Sequence, residues 1–443
     1  MTGSAPLLER PEGAPLFLRP GRAVSAAAFL NDAARLAAAL PDGQFLVNLC
    51  RDRYAFAVAF AAGLIRGRTA LLNGELATLA SGYPGCTVAA DEPPAHDAAA
   101  GLPWTVVHAP GTGSGVVDVP CLPVNHLAAI VFTSGSTGAP APHPKTWGLL
   151  VERSRAAGAQ FGRDGNPMTG MVVGTVPPQH MYGLELTVLL PLHVPVTSWC
   201  GPAFFPGDVD AALLACPPSC RGGATLVTTP LQLRALVQAE LRRPPTSVIS
   251  ATAPLDPALA REVEAAWGGP VMEIFGATEC GSIASRRTSA GADWQRYPGV
   301  MLDTAREGTI VSAPGMEPVP LADVVELTDG GFRLLGRRTD LVKLGGRRAS
   351  LLGLNQVLTG LAGVDDGAFV VPEDLDQRST ARLVAVVVAP GRTVAAILAE
   401  LRLLLDPVFL PRRVIQVQRL PRNAMGKLPR QALLQLVAAA GSG

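Results

Sequence analysis

The sequence predicts an α/β fold: a large N-terminal domain of helix-covered β-sheets, then a small mobile α+β C-terminal domain. Three observations carry that expectation. Ala-rich segments with helical spacing alternate with short β-branched runs. Pro- and Gly-containing loops fall just after those runs, where α/β folds place ligands. The 443 residues exceed the roughly 250–300 that a single hydrophobic core supports, and 48% are hydrophobic against 16% charged.

Taken in order, residues 26–40 and 55–65 read as Ala-rich helices, and 127–132 as a buried strand ending in a Gly/Ser loop. Residues 171–176 form a strand stopped by Pro177-Pro178. A helix at 230–241, a strand at 246–250 and a helix at 257–267 follow. A strand at 271–274 then runs into a Gly-containing turn. Residues 323–333 alternate about Asp329-Gly330-Gly331 and read as a hairpin. Strands at 364–371, 383–388 and 414–418 with a helix at 394–405 make a second α/β pattern. The domains are therefore drawn as 1–338 and 339–443.

A formal net charge of +1 gives no basis for nucleic-acid binding. Residues 340–443 nonetheless carry 13 Lys+Arg and 8 Asp+Glu, a balance of +5 that points to an anionic partner there. Seven scattered cysteines read as free buried thiols. The N-terminus lacks the basic and apolar regions of a secretory signal, and the apolar run 54–65 is shorter than the roughly 20 residues a membrane span needs. The expectation is a cytoplasmic protein with no membrane insertion.

Only three lysines occur among 37 basic residues: Lys145, Lys343 and Lys427. Each lies beside a Gly-rich segment, and a compact ammonium does work in a tight site that arginine cannot. Thr133-Ser134-Gly135-Ser136-Thr137-Gly138 follows the strand at 127–132. Its glycines and hydroxyls suit close approach to phosphate, with Lys145 as a nearby cation. It is not a P-loop, and no Gly-x-Gly-x-x-Gly fingerprint is present. Phe275-Gly276-Ala277-Thr278-Glu279 puts a carboxylate at a strand end, a donor suited to Mg²⁺. Charged residues flanked by glycines at 336–346 suit a hinge. Lys427, after Gly426 in a short loop, can meet developing negative charge.

These four motifs, in this order, resemble the adenylate-forming superfamily of acyl-CoA synthetases, adenylation domains and luciferases. The resemblance implies ATP and Mg²⁺ as cofactors. It implies an acyl-AMP intermediate formed with release of pyrophosphate, and transfer of the acyl group to a thiol with release of AMP. Thr133–Gly138 and Lys145 are then ATP contacts on the phosphate side. Ala253 and Pro254 line the adenine site, where Phe275 and Gly276 stack and pack. Asp323 and Arg337 take the ribose, Glu279 the metal beside Thr278, and Lys427 the transition-state charge, with Thr339 as hinge. His180, Tyr182, Trp199, Ser250, Ala251 and Gly276 would line an acyl pocket. In that family a lysine follows Gly-x-Pro directly, whereas here 139–144 intervenes before Lys145. The chain looks most similar to hydroxybenzoate-activating ligases of xanthomonadin and aryl-polyene pigment clusters. That likeness implies a small aryl carboxylic acid as substrate and an acyl carrier protein as acceptor, with CoA as the alternative. A non-catalytic nucleotide- or carrier-binding paralogue is an alternative of another class.

Overall fold

The computed structural model describes residues 3–93, 101–112, 118–133, 141–218, 220, 222–304, 308–337, 341–344, 347–371, 383–422 and 428–440. The chain divides into two compact units, Met1–Met301 with Val311–Val319, and Leu302–Ile310 with Pro320–Gly443.

The first unit is built on two large sheets. In the nine-stranded sheet, six neighbouring strands run parallel: Val271–Ala277, Ser247–Ser250, Ala224–Thr228, Gly170–Gly174, Val196–Trp199 and Pro15–Arg19. Antiparallel strands close both edges. The six-stranded sheet is parallel except where Ala141–Thr146 pairs antiparallel with Leu127–Thr133. Helices Ala26–Ala39 and Arg53–Ile65 contribute to the main core. The second is buried on every face from Arg53 to Leu64, which its alanines permit by leaving room for neighbouring backbone. Asp52 caps it by accepting the Ala55 N–H at 2.8 Å.

The second unit holds the expected hairpin, Asp323–Thr328 with Gly331–Arg337. A further pair, Leu341–Leu344 with Arg347–Ser350, leads into helix Leu351–Thr359, capped by the Ser350 hydroxyl. Gly336 has φ +117, and a Cβ there would meet the Ser350 side chain, so both backbone and space require glycine. Strands Asp366–Val370, Val384–Val388 and Arg413–Gln416 form a three-stranded sheet. Its two faces are covered by separate apolar clusters.

Three of the boundaries that differ from the sequence expectation have a visible physical reason. The strand expected to reach residue 176 ends at Gly174, because the buried Arg53 guanidinium takes the carbonyls of Gly174 (2.8 Å) and Val176 (3.1 Å). The helix expected to reach 241 ends at Val237; beyond it Asp210 accepts the Arg242 N–H and Nε at 2.8 and 2.7 Å. The strand expected to end at 274 continues to Ala277, with a bulge between Phe275 and Gly276. All seven cysteines are free, but Cys121 is exposed and Cys220 half-buried rather than buried. Among the described residues no helix is long and apolar enough to cross a membrane.

Candidate active site

Parallel strands deliver their carboxyl ends to one edge of the sheet, and the first unit gathers its motifs there. The Tyr182 hydroxyl lies within hydrogen-bond distance of the carbonyls of Thr228 (3.1 Å) and Ile249 (2.8 Å), one near the end of each of two adjacent strands. Burial pushes this phenol well above its usual range. His180 stands at the start of the same turn, and its Nδ1 accepts the Tyr182 N–H at 3.3 Å. A cavity of 430 Å³ opens beside this segment, lined by Arg51, Asp52, Arg53, Thr175, Pro177, Pro178, Gln179, Cys200 and Phe204 among others.

Ser250 ends the next strand and Ala251 follows it, both buried, and the Ser250 hydroxyl has no hydrogen-bond partner among the described residues. Thr252 follows with φ +82, a conformation a β-branched residue adopts only when its surroundings impose it. The restraint is visible: the Leu255 N–H, just past Ala253 and Pro254, donates to Glu273 Oε1 at 2.8 Å. Glu273 is itself buried, and its other oxygen accepts from Arg286 Nε and from the Thr288 hydroxyl, each at 2.8 Å. Trp199 packs elsewhere, in the core with Leu18, Met171 and Val209, its Nε1 donating to the Pro202 carbonyl at 3.1 Å.

The segment 275–279 rides on the end of a strand. The Phe275 ring lies 5.5 Å from that of Trp294, which the Arg286 guanidinium covers at 4.4 Å. A Cβ at Gly276 would strike the Gly281 carbonyl of the paired strand, so glycine is required for the pairing. The chain turns at once, with the Cys280 N–H donating to the Ala277 carbonyl at 3.2 Å. Thr278 is half-buried and the Glu279 side chain is exposed.

Residues 134–138 lie outside the described residues, but their supports do not. Thr133 and Ala141 are paired in register, at one end of the antiparallel pair Leu127–Thr133 and Ala141–Thr146. Thr133 Oγ1 lies 3.1 Å from His143 Nε2. Lys145 stands four residues beyond Ala141, opposite Ala129, and is 1% exposed. Its Nζ donates to the Glu279 carbonyl at 2.6 Å. Two motifs 134 residues apart thus meet through one hydrogen bond. In the second unit, Asp323 is half-buried and pairs in register with Arg337. Thr339, Lys427 and the Arg337 side chain lie outside the described residues.

Several buried charged groups escaped the sequence reading, Arg53, Arg153, Glu185 and Glu273 among them. Glu185 and Glu273 had a readable signal, each being a lone acid in an apolar run.

The AMP-binding enzyme family matches residues 53–331. A 4-coumarate–CoA ligase of Rhodobacter capsulatus is 30% identical over 280 residues, 62% of this chain and 66% of that protein. A 4-coumarate–CoA ligase of Halorhodospira halophila is 28% identical over 68% of this chain and 75% of its own. The chain thus spans about two thirds to three quarters of these relatives. Among solved structures, ATP-bound MatB from Rhodopseudomonas palustris superposes with a TM-score of 0.79 at 20% identity, over 97% of this chain and 96% of that one. The O-succinylbenzoate CoA synthetase of Bacillus subtilis bound to AMP gives 0.75 at 18% identity, over 94% of each chain. The fold is therefore shared with both. The chain belongs to the AMP-binding, adenylate-forming enzyme family.

Glu273→Ala removes the acceptor of the Leu255 N–H and the carboxylate partner of Arg286, and loss of one partner of such a buried pair costs about 3–5 kcal/mol. Denaturant unfolding of the first unit should show a loss of that size, while Glu273→Gln should lose less. A change under about 0.5 kcal/mol in the alanine variant would contradict the restraint described for residues 252–255.

Proposed function

We propose that the chain is an ATP- and Mg²⁺-dependent acid–thiol ligase that activates a small aryl carboxylic acid and passes it to CoA. The observation that carries this reading is the hydrogen bond from Lys145 to the Glu279 carbonyl. It sets the hairpin of the Gly/Ser loop against the turn that presents the Glu279 carboxylate. The donor set suits Mg²⁺, which takes one or two carboxylates together with substrate phosphates. Glu279 offers one exposed carboxylate and Thr278 a hydroxyl beside it. Bound magnesium would neutralise phosphate charge at that position.

In the first half-reaction a carboxylate oxygen of the acid attacks the α-phosphorus of ATP, the α–β bridging bond breaks and pyrophosphate leaves. In the second, the thiol attacks the acyl carbonyl, AMP leaves and a thioester forms as the thiol proton is lost. Such chemistry depends on alignment and charge neutralisation. Residues 133–138 are assigned to the phosphates, Ala253, Pro254, Phe275 and Gly276 to the adenine, and Asp323 with Arg337 to the ribose. His180, Tyr182, Ser250 and Ala251 are assigned to the acid. Lys427 is assigned to the transition-state charge, and Thr339 to the hinge between domains 1–338 and 339–443.

The proposed acceptor, CoA, differs from the carrier protein that the family resemblance implied. The relatives matched along most of their alignable length carry CoA-ligase names, including a 4-chlorobenzoate–CoA ligase of Arthrobacter that is 25% identical over 372 residues. They favour CoA over a carrier protein. One observation keeps the carrier as a second reading: the +5 balance of residues 340–443 would complement an acidic domain. The hydroxybenzoate of pigment clusters remains one member of the proposed substrate class.

Thioester formation from benzoate, hydroxybenzoates, 4-coumarate and short fatty acids should be measured with CoA and with a holo carrier protein. Aryl acids with CoA should give the highest kcat/KM. Faster transfer to the carrier, slowed by salt, would contradict the CoA assignment, and preference for fatty acids would contradict the aryl one.

Lys427→Ala should lower pyrophosphate release by about 10²–10³ while sparing thioester formation from pre-made acyl-AMP. Unaltered pyrophosphate release would remove Lys427 from the proposed chemistry.

A further inference from the structure

We infer that Lys145 and Glu185 are positioning residues for Glu279, forming a buried brace under the turn that carries it. This deepens the proposed function and rests on its reading of Glu279 as the magnesium carboxylate. The turn is held on both sides. On one, Lys145 Nζ donates to the Glu279 carbonyl at 2.6 Å. On the other, the Glu185 carboxylate accepts the Ser282 N–H at 3.3 Å and also the Ser282 hydroxyl. Gly281, between these supports, has φ +73, and a Cβ there would collide with the Glu185 carboxylate. The brace therefore approaches the backbone directly.

Its two members come from different parts of the first unit. Lys145 is on the hairpin below the Gly/Ser loop. Glu185 is on a π-helical segment, Leu184–Leu189, that continues from the His180–Tyr182 turn. π-Helical turns are frequent at functional sites. Here the segment is fixed by the Thr187 hydroxyl, which donates to the Gly183 carbonyl at 2.6 Å and accepts from Arg53. One interaction set thus links the hairpin, the His180 segment and the Glu279 turn.

The cost of this arrangement argues for a positional role. Lys145 and Glu185 are 1% and 2% exposed, with Arg153 beside them at 2% and its Nε and Nη1 without a partner among the described residues. Burial holds the lysine below its usual pKa and the glutamate above its own, while their mutual attraction opposes both shifts. Apolar residues would fill such a space at no loss of stability. They could not hold the Glu279 carbonyl oxygen and the Ser282 N–H, at the two ends of a four-residue segment.

The test uses Lys145→Met, Ser282→Ala and Glu279→Gln, read by pyrophosphate release against magnesium concentration and by thermal midpoint. Lys145→Met should lower the rate by on the order of 10²-fold at fixed magnesium. It should also raise the magnesium half-saturation several-fold, with partial rescue at high magnesium. Thioester formation from pre-made acyl-AMP should be unchanged. A folded Lys145→Met with wild-type rate and magnesium dependence, alongside a shifted Glu279→Gln, would overturn the brace and leave the metal reading intact. If Glu279→Gln itself keeps the wild-type magnesium dependence, the metal reading falls and the brace with it. Should Lys145→Met fail to fold, Ser282→Ala decides. A several-fold rise in its magnesium half-saturation at an unchanged thermal midpoint supports the brace, and wild-type magnesium dependence overturns it.

Discussion

Parallel neighbours in a sheet must end on the same side, and this constraint organises the first unit. Six adjacent strands run parallel, from Pro15–Arg19 to Val271–Ala277. Segments scattered between Gly174 and Ala277 therefore arrive at one edge without any motif specifying the others. Tyr182 ties two strand ends through their carbonyls, and Glu273 ties the Thr252 bend to the outermost of the six parallel strands. The neighbouring strand Gly281–Arg287 runs back antiparallel, so the Glu279 turn sits at the end of a two-strand lever rather than in a free loop.

The polar groups beneath that edge are charged and almost fully buried. Arg53, Lys145, Arg153, Glu185 and Glu273 would each be expensive alone. Most bind backbone: Arg53 the Gly174 and Val176 carbonyls, Lys145 the Glu279 carbonyl, Glu185 the Ser282 N–H, and Glu273 the Leu255 N–H. Charged side chains bound to main-chain groups fix where strands stop and how the chain bends. This is a different task from apolar packing, which the Ala-rich helix Arg53–Ile65 performs a few residues away.

Much of the fold was legible because its signals are local. Pro230 and Pro257 each sit at the first turn of a helix behind a capping Thr229 or Asp256. Asp329 and Gly330 turn the hairpin as expected. The four motifs pointed to the family with no help from tertiary structure. What escaped was decided by contacts between distant segments. Nothing near residue 145 announces that its amine will find a carbonyl 134 residues away. Strand 271–277 outran its expected end because pairing with residues 281–287 carries it past Gly276. Trp199 stands among the pocket residues that the family resemblance implies, but its side chain packs in the core with Leu18, Met171 and Val209. The lone acids Glu185 and Glu273 were visible in their apolar runs, yet only the fold shows which donors they meet.

The central claim is that an acyl-adenylate forms on this scaffold. It is tested most directly by supplying an aryl acid labelled with ¹⁸O in its carboxylate, together with ATP, Mg²⁺ and CoA, and weighing the AMP produced. Attack of the carboxylate on the α-phosphorus carries one labelled oxygen into AMP. The account predicts one ¹⁸O in each AMP and pyrophosphate in equal amount. Unlabelled AMP, or ADP as the nucleotide product, would contradict it.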